Sequence, residues 1–382
     1  MKKETQIVIC GDICPTKDTV HFFETANTKG LFNNVLPILQ NTDVLVGNLE
    51  FALTNTCTKV NKTGPILKGA PNFINLFTKV GCTALGLANN HIKDCGVEGV
   101  KSTLVICKEN DIATVGAGKN EVEAKKPLII EQNGWKIGVM AFAEHEFNAA
   151  YSNEAGANLF DVYEDFEEIK VLKKQVDYLI ILFHGGIEYY KYPSPLLQKK
   201  CRKMIDAGAD FVSCQHSHVI GTEEVYNEGT ILYGQGNTVF GYKENNSDWN
   251  QGLLVAIELN VDKLSSTNQI NYIPVNATTS GIVLMEKDEQ QKIILEIKNR
   301  QQQIKEKNFI HNSWNLFCES KKSHYLPLLF GLGRILNKLN RIFKNLIIQL
   351  IYSKKRMRIT KNILRCEAHN EVIDTILKNY EK

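Results

Sequence analysis

The chain has 382 residues and a mass of 43.1 kDa, with 43% hydrophobic and 23% charged residues. That is ordinary globular usage: it excludes wholesale disorder and collagen-like structure, and it allows one large domain or two smaller ones whose core needs no disulfide staples. The net charge of +3 hides an asymmetry, because the segment Lys321–Cys366 carries 12 Lys or Arg and no Asp or Glu, which leaves the rest of the chain net acidic. Basic charge confined to one segment does not fit a general nucleic-acid binder, and no nucleic-acid partner is expected.

Lys2 and Lys3 open the chain, but no apolar stretch of the ~7–15 residues found in a signal peptide comes after them. Uncharged apolar stretches in the C-terminal segment reach about ten residues, short of the ~20 that a membrane-spanning helix needs. The sequence therefore predicts no signal peptide, no transmembrane helix and a cytoplasmic location. The ten cysteines show no CxxC and no disulfide-like spacing, and Cys10, Cys82, Cys107 and Cys214 sit in apolar runs. They read as reduced thiols, mostly small core residues.

In chain order, short apolar runs bounded by turn residues recur at 6–10, 43–47, 84–88, 137–143, 178–183, 211–214, 230–234 and 253–259. Runs of this length predict buried strands. Between them, Gly99–Asn110 and Pro195–Ala207 have helical spacing, with Leu196, Leu197, Met204 and Ile205 able to share a face with Cys201. Alternation of strand and helix predicts an α/β fold. After Pro274 the character changes. Residues 283–307 are charged and helical, and residues 332–351 place apolar residues such as Leu332, Ile335, Leu339, Ile342 and Leu350 opposite Arg334, Lys338, Arg341 and Lys344. The expected organisation is a body over 1–285 and a helical basic tail over 286–382.

The chemistry lies at the ends of the strands. The runs lead into Gly11-Asp12, Asn48-Leu49-Glu50, Asn89-Asn90-His91, His184-Gly185-Gly186 and Gln215-His216-Ser217-His218. Ligands of open α/β sheets bind beyond the carboxyl ends of the strands. Imidazole nitrogen with carboxylate and amide oxygen, and no thiolate, suits one or two divalent ions, with Mn, Zn or Fe favoured. A pair of ions ~3.5–4 Å apart can activate water and clamp a phosphoryl group. Each element alone is a common turn or cap, and the argument rests on five strand ends carrying these types together. Asp94 is expected to cap the helix that starts near Gly96.

The segments GDICPTKD (11–18), NLEFALT (48–54), LANNHIKDCGVEGV (87–100), GAGKNEVEAKKP (116–127), AEHEFN (143–148), FHGGIEYYKYPSP (183–195), DAGADFVSCQHSHVIG (206–221) and ILYGQGN (231–237) occur in that order. Over roughly residues 6–275 they resemble the CapA-type capsule and poly-γ-glutamate synthesis proteins, which share the calcineurin-like metallophosphoesterase fold. The resemblance implies an α/β, metallophosphatase-like two-sheet sandwich flanked by helices, with the helical C-terminal tail added. It also implies a site: Asp12 and His218 on a first metal, Glu50 bridging, and Asn90, His184 and His216 on a second, with His91 as the catalytic general acid. Asn48, Asn89, Glu146, Glu188 and Asn237 are expected to orient these groups or meet substrate. The sequence departs from the wider superfamily where Ile13 and Cys14 replace the usual Asp-x-His opening, where Asn48 and Glu50 stand for Asp, and where Gln215 stands for Gly. These departures leave one metal or two.

The function implied is synthesis of a surface polymer through a metal-dependent phosphoesterase-like hydrolase site, with an anionic or phosphorylated polymer as substrate. Two alternatives stand beside it. One is a non-catalytic component of a capsule or polyglutamate assembly or export complex with a vestigial site. The other is a metal-dependent amide hydrolase acting on a γ-glutamyl polymer. The basic segment 321–366 predicts peripheral contact with an anionic membrane surface, with packing on the acidic body as the alternative.

Overall fold

The structure is a computed structural model that describes residues 2–58, 60–260, 269–329, 331, 333–343, 346–347 and 353–380. It divides into two compact units, Met1–His311 and Asn312–Lys382.

Strands β1 (Thr5–Ile13), β2 (Val44–Leu49), β3 (Ala84–Gly86) and β4 (Ala113–Val115) pair in parallel. The chain then builds a second sheet from β5 (Leu128–Gln132), β6 (Trp135–Ala143), β7 (Tyr178–His184), β8 (Phe211–Gln215), β9 (Glu223–Tyr226) and β10 (Gly229–Leu232). It returns to the first sheet with β11 (Asn237–Val239), β12 (Gln251–Leu259), β13 (Gln269–Thr278) and β14 (Gly281–Leu284). Spatial order is β14-β13-β12-β1-β2-β3-β4 in the first sheet, with β11 paired to β1, and β9-β10-β8-β7-β6-β5 in the second. Every apolar run singled out in the sequence contributes to one of these strands.

Side chains alternate across a strand, and that alternation makes the second sheet one layer of a sandwich. Ile137, Val139, Ala141, Tyr178, Ile180, Leu182 and Phe211 pack into one core with Ile7, Ile9, Val46 and Leu85 of the first sheet. Their neighbours Met140, Phe142, Leu179, Ile181, Phe183, Val212 and Cys214 face the opposite way, toward a second core. That second core is closed by Ile169 and Leu172 of one helix, α2 (Asp165–Lys173), and by Leu197, Cys201, Met204 and Ile205 of another, α3 (Pro195–Asp206). Helix α1 (Gly96–Glu109) precedes them and buries Val100, Thr103 and Cys107. The start of α3 has a local chemical cause: Pro195 occupies the first turn and the Ser194 side chain accepts from the Leu197 N–H at 3.1 Å. Leu196 was expected on the buried face, but it is 69% exposed. Leu196 lies in the first turn of the helix, about 100° around from the buried Leu197, and turns to solvent.

Helix α4 (Lys287–Gln303) looked like tail because most of its residues are polar. Its Ile293, Ile297 and Arg300 are buried at i, i+4 and i+7, and it lies within the first unit. The Arg300 guanidinium donates to the carbonyls of Ile220 at 3.3 Å and Gly221 at 3.2 Å, just beyond His218. The division between units thus falls after His311 rather than near 285.

Most of α5 (Phe309–Leu329), with α6 (Arg334–Ile342), α7 (Lys354–Arg365) and α8 (Glu367–Tyr380), forms the second unit. Parts of the apolar face predicted over 332–351, including Leu332 and Leu350, lie outside the described residues. Within α6, Ile335 is 78% and Ile342 64% exposed. Among the described residues, no helix is long and apolar enough to cross a membrane.

The expectation that all cysteines are reduced does not hold: Cys57 and Cys95 form a disulfide. A separation of 38 residues between a loop cysteine and one at a helix start gives no sequence pattern, and only the fold brings the two together. Cys10, Cys14, Cys82, Cys107, Cys201 and Cys214 are buried free thiols, as expected.

Candidate metal centre

The carboxyl ends of β1, β2 and β3 in one sheet and of β7 and β8 in the other converge at one end of the sandwich. Asp12 is set by pairing of β1 with both neighbours, opposite Asn48 on β2 and Asn237 on β11. The register shifts at Asp12, which lets a strand residue turn toward the site. Gly11 permits the close approach there, since a Cβ at that position would lie 2.2 Å from the Gly236 carbonyl oxygen. Glu50 comes directly after β2, tied by its N–H to the Ile13 carbonyl at 3.0 Å. His184 ends β7. His216 and His218 leave β8 in the left-handed region, at φ 82° and 55°. Such non-glycine conformations cost on the order of 1–3 kcal/mol each and cluster at functional sites. Here the Asp12 carboxylate accepts the His216 N–H at 3.2 Å and helps to hold the turn.

Two groups of three side chains could each hold a cation: Glu50 with His184 and His216, and Asp12 with Glu50 and His218. Within each group, ligand atoms lie within 4.8 Å of one another. Glu50 is common to both. Asn90 adjoins the group of Glu50, His184 and His216, its Oδ1 lying 3.0 Å from His184 Nε2. The six residues expected to bind metal are thus brought together, and Cys14 belongs to neither group.

The residues expected around them also converge, with one difference. Asn48 Nδ2 donates to Asp12 Oδ1 at 2.7 Å and lies 3.2 Å from His184 Nδ1. Asn89 donates to Asn48 Oδ1 at 3.1 Å and accepts the His91 N–H at 3.1 Å. Asn237 Oδ1 lies 2.9 Å from His218 Nδ1. Glu146, at the exposed mouth, reaches Asn90 at 3.5 Å and His216 at 3.9 Å. Glu188 differs, since it acts on Glu50, His216 and His218 through its charge.

Burial alone would push the Asp12 carboxyl up, but its hydrogen bond to His218 and the charges of His184 and His218 outweigh that and hold it down at about 2. His218 is the other side of this pair: burial favours its neutral form, yet Asp12 raises it. Burial, and then the charge of neighbouring histidines, push His184 and His216 down toward the neutral imidazole that binds metal. Glu50 goes the opposite way, raised well above the carboxylate range by burial and then by Asp12. Both of its carboxylate oxygens are buried without a hydrogen-bond partner. A buried carboxylate with no donor is costly, and a cation between the two donor groups would satisfy it. The residues present therefore fit a divalent metal. Burial raises Glu50 and Asp12 raises His218, so cation uptake competes with their protonation and affinity should rise from mildly acidic to mildly basic pH with proton release. Titration calorimetry in two buffers of different ionisation enthalpy checks this, and an affinity flat across that range would contradict it.

Asp94 corrects the sequence reading. The helix start at Cys95 carries no side-chain cap. Asp94 Oδ2 instead lies 2.7 Å from His91 Nδ1 and accepts the Leu67 N–H at 2.7 Å. The other ring nitrogen, His91 Nε2, lies 4.0 Å from Glu50 Oε1. His91 thus faces the site without belonging to either group of three. Sequence reasoning missed Asp94, although its i+3 spacing from His91 across a turn was a usable signal. It also missed Lys62, which forms an ion pair with Asp94 and which no motif marks. Gln215, noted as a departure, reaches across to the first sheet and donates to the Cys10 carbonyl at 3.3 Å.

The bacterial capsule synthesis protein PGA_cap family matches residues 6–242. The capsule biosynthesis protein CapA of Bacillus anthracis is 29% identical over 249 residues, covering 61% of this chain and 59% of that protein. The PGA biosynthesis protein CapA of Bacillus subtilis (strain 168) is 31% identical over 234 residues, covering 60% and 62%. The chain thus matches about three fifths of the length of these relatives. Among solved structures, a 5'-nucleotidase precursor from Thermus thermophilus is similar at a TM-score of 0.38 and 13% identity, covering 78% of this chain and 58% of that one. So distant a likeness adds nothing to the sandwich traced strand by strand above. The family match spans most of the body and every ligand-bearing strand end, and the chain belongs to the bacterial capsule synthesis protein PGA_cap family.

Proposed function

We propose that the body is a metal-dependent hydrolase of phosphoester type that acts on an anionic or phosphorylated intermediate in surface-polymer synthesis. The observation that carries this reading is Glu50, whose two oxygens are buried and unpartnered at the junction of two three-residue donor groups. Asp12, Glu50, Asn90, His184, His216 and His218 would hold one or two divalent ions, with Mn, Zn or Fe suited to the nitrogen and oxygen donors. A bound ion supplies Lewis acidity, lowering the pKa of water and drawing charge off a phosphoryl oxygen.

The protein's own part is positioning and proton movement. Asn48 fixes Asp12 and faces His184, and Asn237 orients His218. His91, its Nδ1–H held by Asp94, would take up a second proton at Nε2 and deliver it to the departing oxygen. The test is a panel of phosphomonoesters, phosphodiesters and γ-glutamyl amides with the manganese- or zinc-loaded full chain. Phosphoester turnover that chelation abolishes is expected. Cleavage of γ-glutamyl amides alone would replace the reading with an amide hydrolase. Metal binding with no turnover on any substrate would replace it with a non-catalytic assembly component.

The tail bears on where this chemistry takes place. Ile335, Leu339 and Ile342 recur along α6 and are exposed, in a segment whose charges are all basic. That combination favours an anionic membrane surface. The expected result is flotation of the full chain with vesicles containing anionic lipid, lost in an Ile335→Asp, Ile342→Asp double variant. Equal flotation of the two would remove the membrane reading. The Cys57–Cys95 disulfide favours an oxidising compartment over the cytoplasm first expected.

A further inference from the structure

Behind His91, on the side away from Glu50, lies a buried charge that hydrolysis does not itself require. The Lys62 side chain is 3% exposed and Asp94 is 1% exposed, and the two form an ion pair. Lys62 Nζ also lies 3.2 Å from His91 Nδ1 and 3.5 Å from the Asn90 carbonyl oxygen. A lysine is rarely buried unless paired, and a buried pair is a weak source of stability because both charges lose water. Its geometry, however, settles the orientation of Asp94. One carboxylate oxygen is taken by Lys62, while the other accepts from Leu67 N–H and faces His91 Nδ1. An ammonium offers three donors and no acceptor. The Nδ1 proton of His91 therefore goes to Asp94, and Nε2 is left facing the site.

Lys62 is delivered by the segment between Leu53 and Lys68, which has no helix or strand among its described residues. Two ties hold that segment beside Asp94: the Val60 N–H donates to the Asp94 carbonyl at 3.3 Å, and Cys57 is bonded to Cys95. Cys95 adjoins Asp94, and Cys57 precedes Lys62 by a few residues, so the disulfide keeps the ammonium on a short tether to its partner.

We propose that Lys62 is a positioning residue: it holds Asp94 so that His91 keeps its Nδ1 proton and presents Nε2 to the site, and the Cys57–Cys95 disulfide holds the segment that delivers it. The effect on rate rests on the hydrolase reading; the effect on the His91 ring does not.

The experiment reads the ring directly, by long-range nitrogen–proton correlation of the zinc-loaded full chain labelled with 15N-histidine. His91 signals are identified by their loss in His91→Gln. Wild type should show a single His91 tautomer protonated at Nδ1. Lys62→Met should lose that single signature and lower kcat about 10–100-fold with KM little changed, while Lys62→Arg restores both. Cys57→Ser, which alters none of the side chains that contact His91 but frees the segment carrying Lys62, should move the ring signals in the same direction. An unchanged ring in Lys62→Met, or a neutral wild-type ring protonated at Nε2 in place of Nδ1, overturns the proposal. Should Lys62→Met fail to fold, Cys57→Ser decides, and an unchanged ring there overturns it. A chain with no turnover on any substrate sinks the hydrolase reading while the ring signals still decide this one.

Discussion

His91→Ala is expected to keep its metal content and melting temperature while losing about 10²–10⁴-fold in rate. His91 lies outside both ligand groups, with Nδ1 engaged by Asp94 and Nε2 turned toward Glu50. Removing the ring should therefore leave Asp12, Glu50, His184, His216 and His218 as they are. Asp94 keeps its contacts to Lys62 and the Leu67 N–H, so no buried carboxylate is orphaned. His91 does not cap the helix Gly96–Glu109, which has no side-chain cap. Steady-state kinetics, elemental analysis and a melting curve on one preparation distinguish the outcomes. Stoichiometric loss of metal would make His91 a ligand. Loss of stability with an unchanged rate per folded molecule would make it structural.

Glu50→Gln should act in opposite directions on the chelated and metal-loaded protein. In the chelated chain Glu50 is fully buried, beside Asp12, with no donor to either oxygen. Replacing it by a neutral side chain of the same shape relieves that burden, and a gain of about 1–3 kcal/mol in folding stability at neutral pH is expected. With metal present the order reverses. The amide cannot serve as an anionic bridge, so the rise in melting temperature on adding metal should shrink or vanish. Loss of one cation's Lewis acidity, worth several kcal/mol, corresponds to about 10³-fold or more in rate. Melting curves of both proteins with chelator and with metal check this. A variant that is less stable than wild type under chelation would show that Glu50 has partners other than a cation.

Legibility in the sequence has a physical basis. The buried strands were legible because residues such as Ile7, Val8 and Ile9, or Leu179, Ile180 and Ile181, are buried on both sheet faces and leave continuous apolar runs. The grouping of Asp12, Glu50, Asn90, His184, His216 and His218 was legible because each follows the end of a recognisable apolar run, while the metal roles expected of them came from the family resemblance. The half-exposed strand Leu128–Gln132 alternates over too few residues to stand out, and Glu223–Tyr226 buries Glu224 while exposing Val225. Helix Lys287–Gln303 buries three side chains among charges that dominate its composition. Lys62 and the Cys57–Cys95 pair are long-range facts. They depend on how an irregular segment is laid against the turn after β3, which no local propensity encodes.

The central claim is that this chain holds metal through Asp12, Glu50, Asn90, His184, His216 and His218. It is tested most directly by elemental analysis of the purified full chain, with thermal melts before and after chelation and on adding back Mn or Zn. The account predicts one or two transition-metal ions per chain, a lower melting temperature after chelation, and recovery on adding back metal that His184→Ala does not share. Protein from metal-rich medium that carries no metal and melts alike with and without chelator would contradict it.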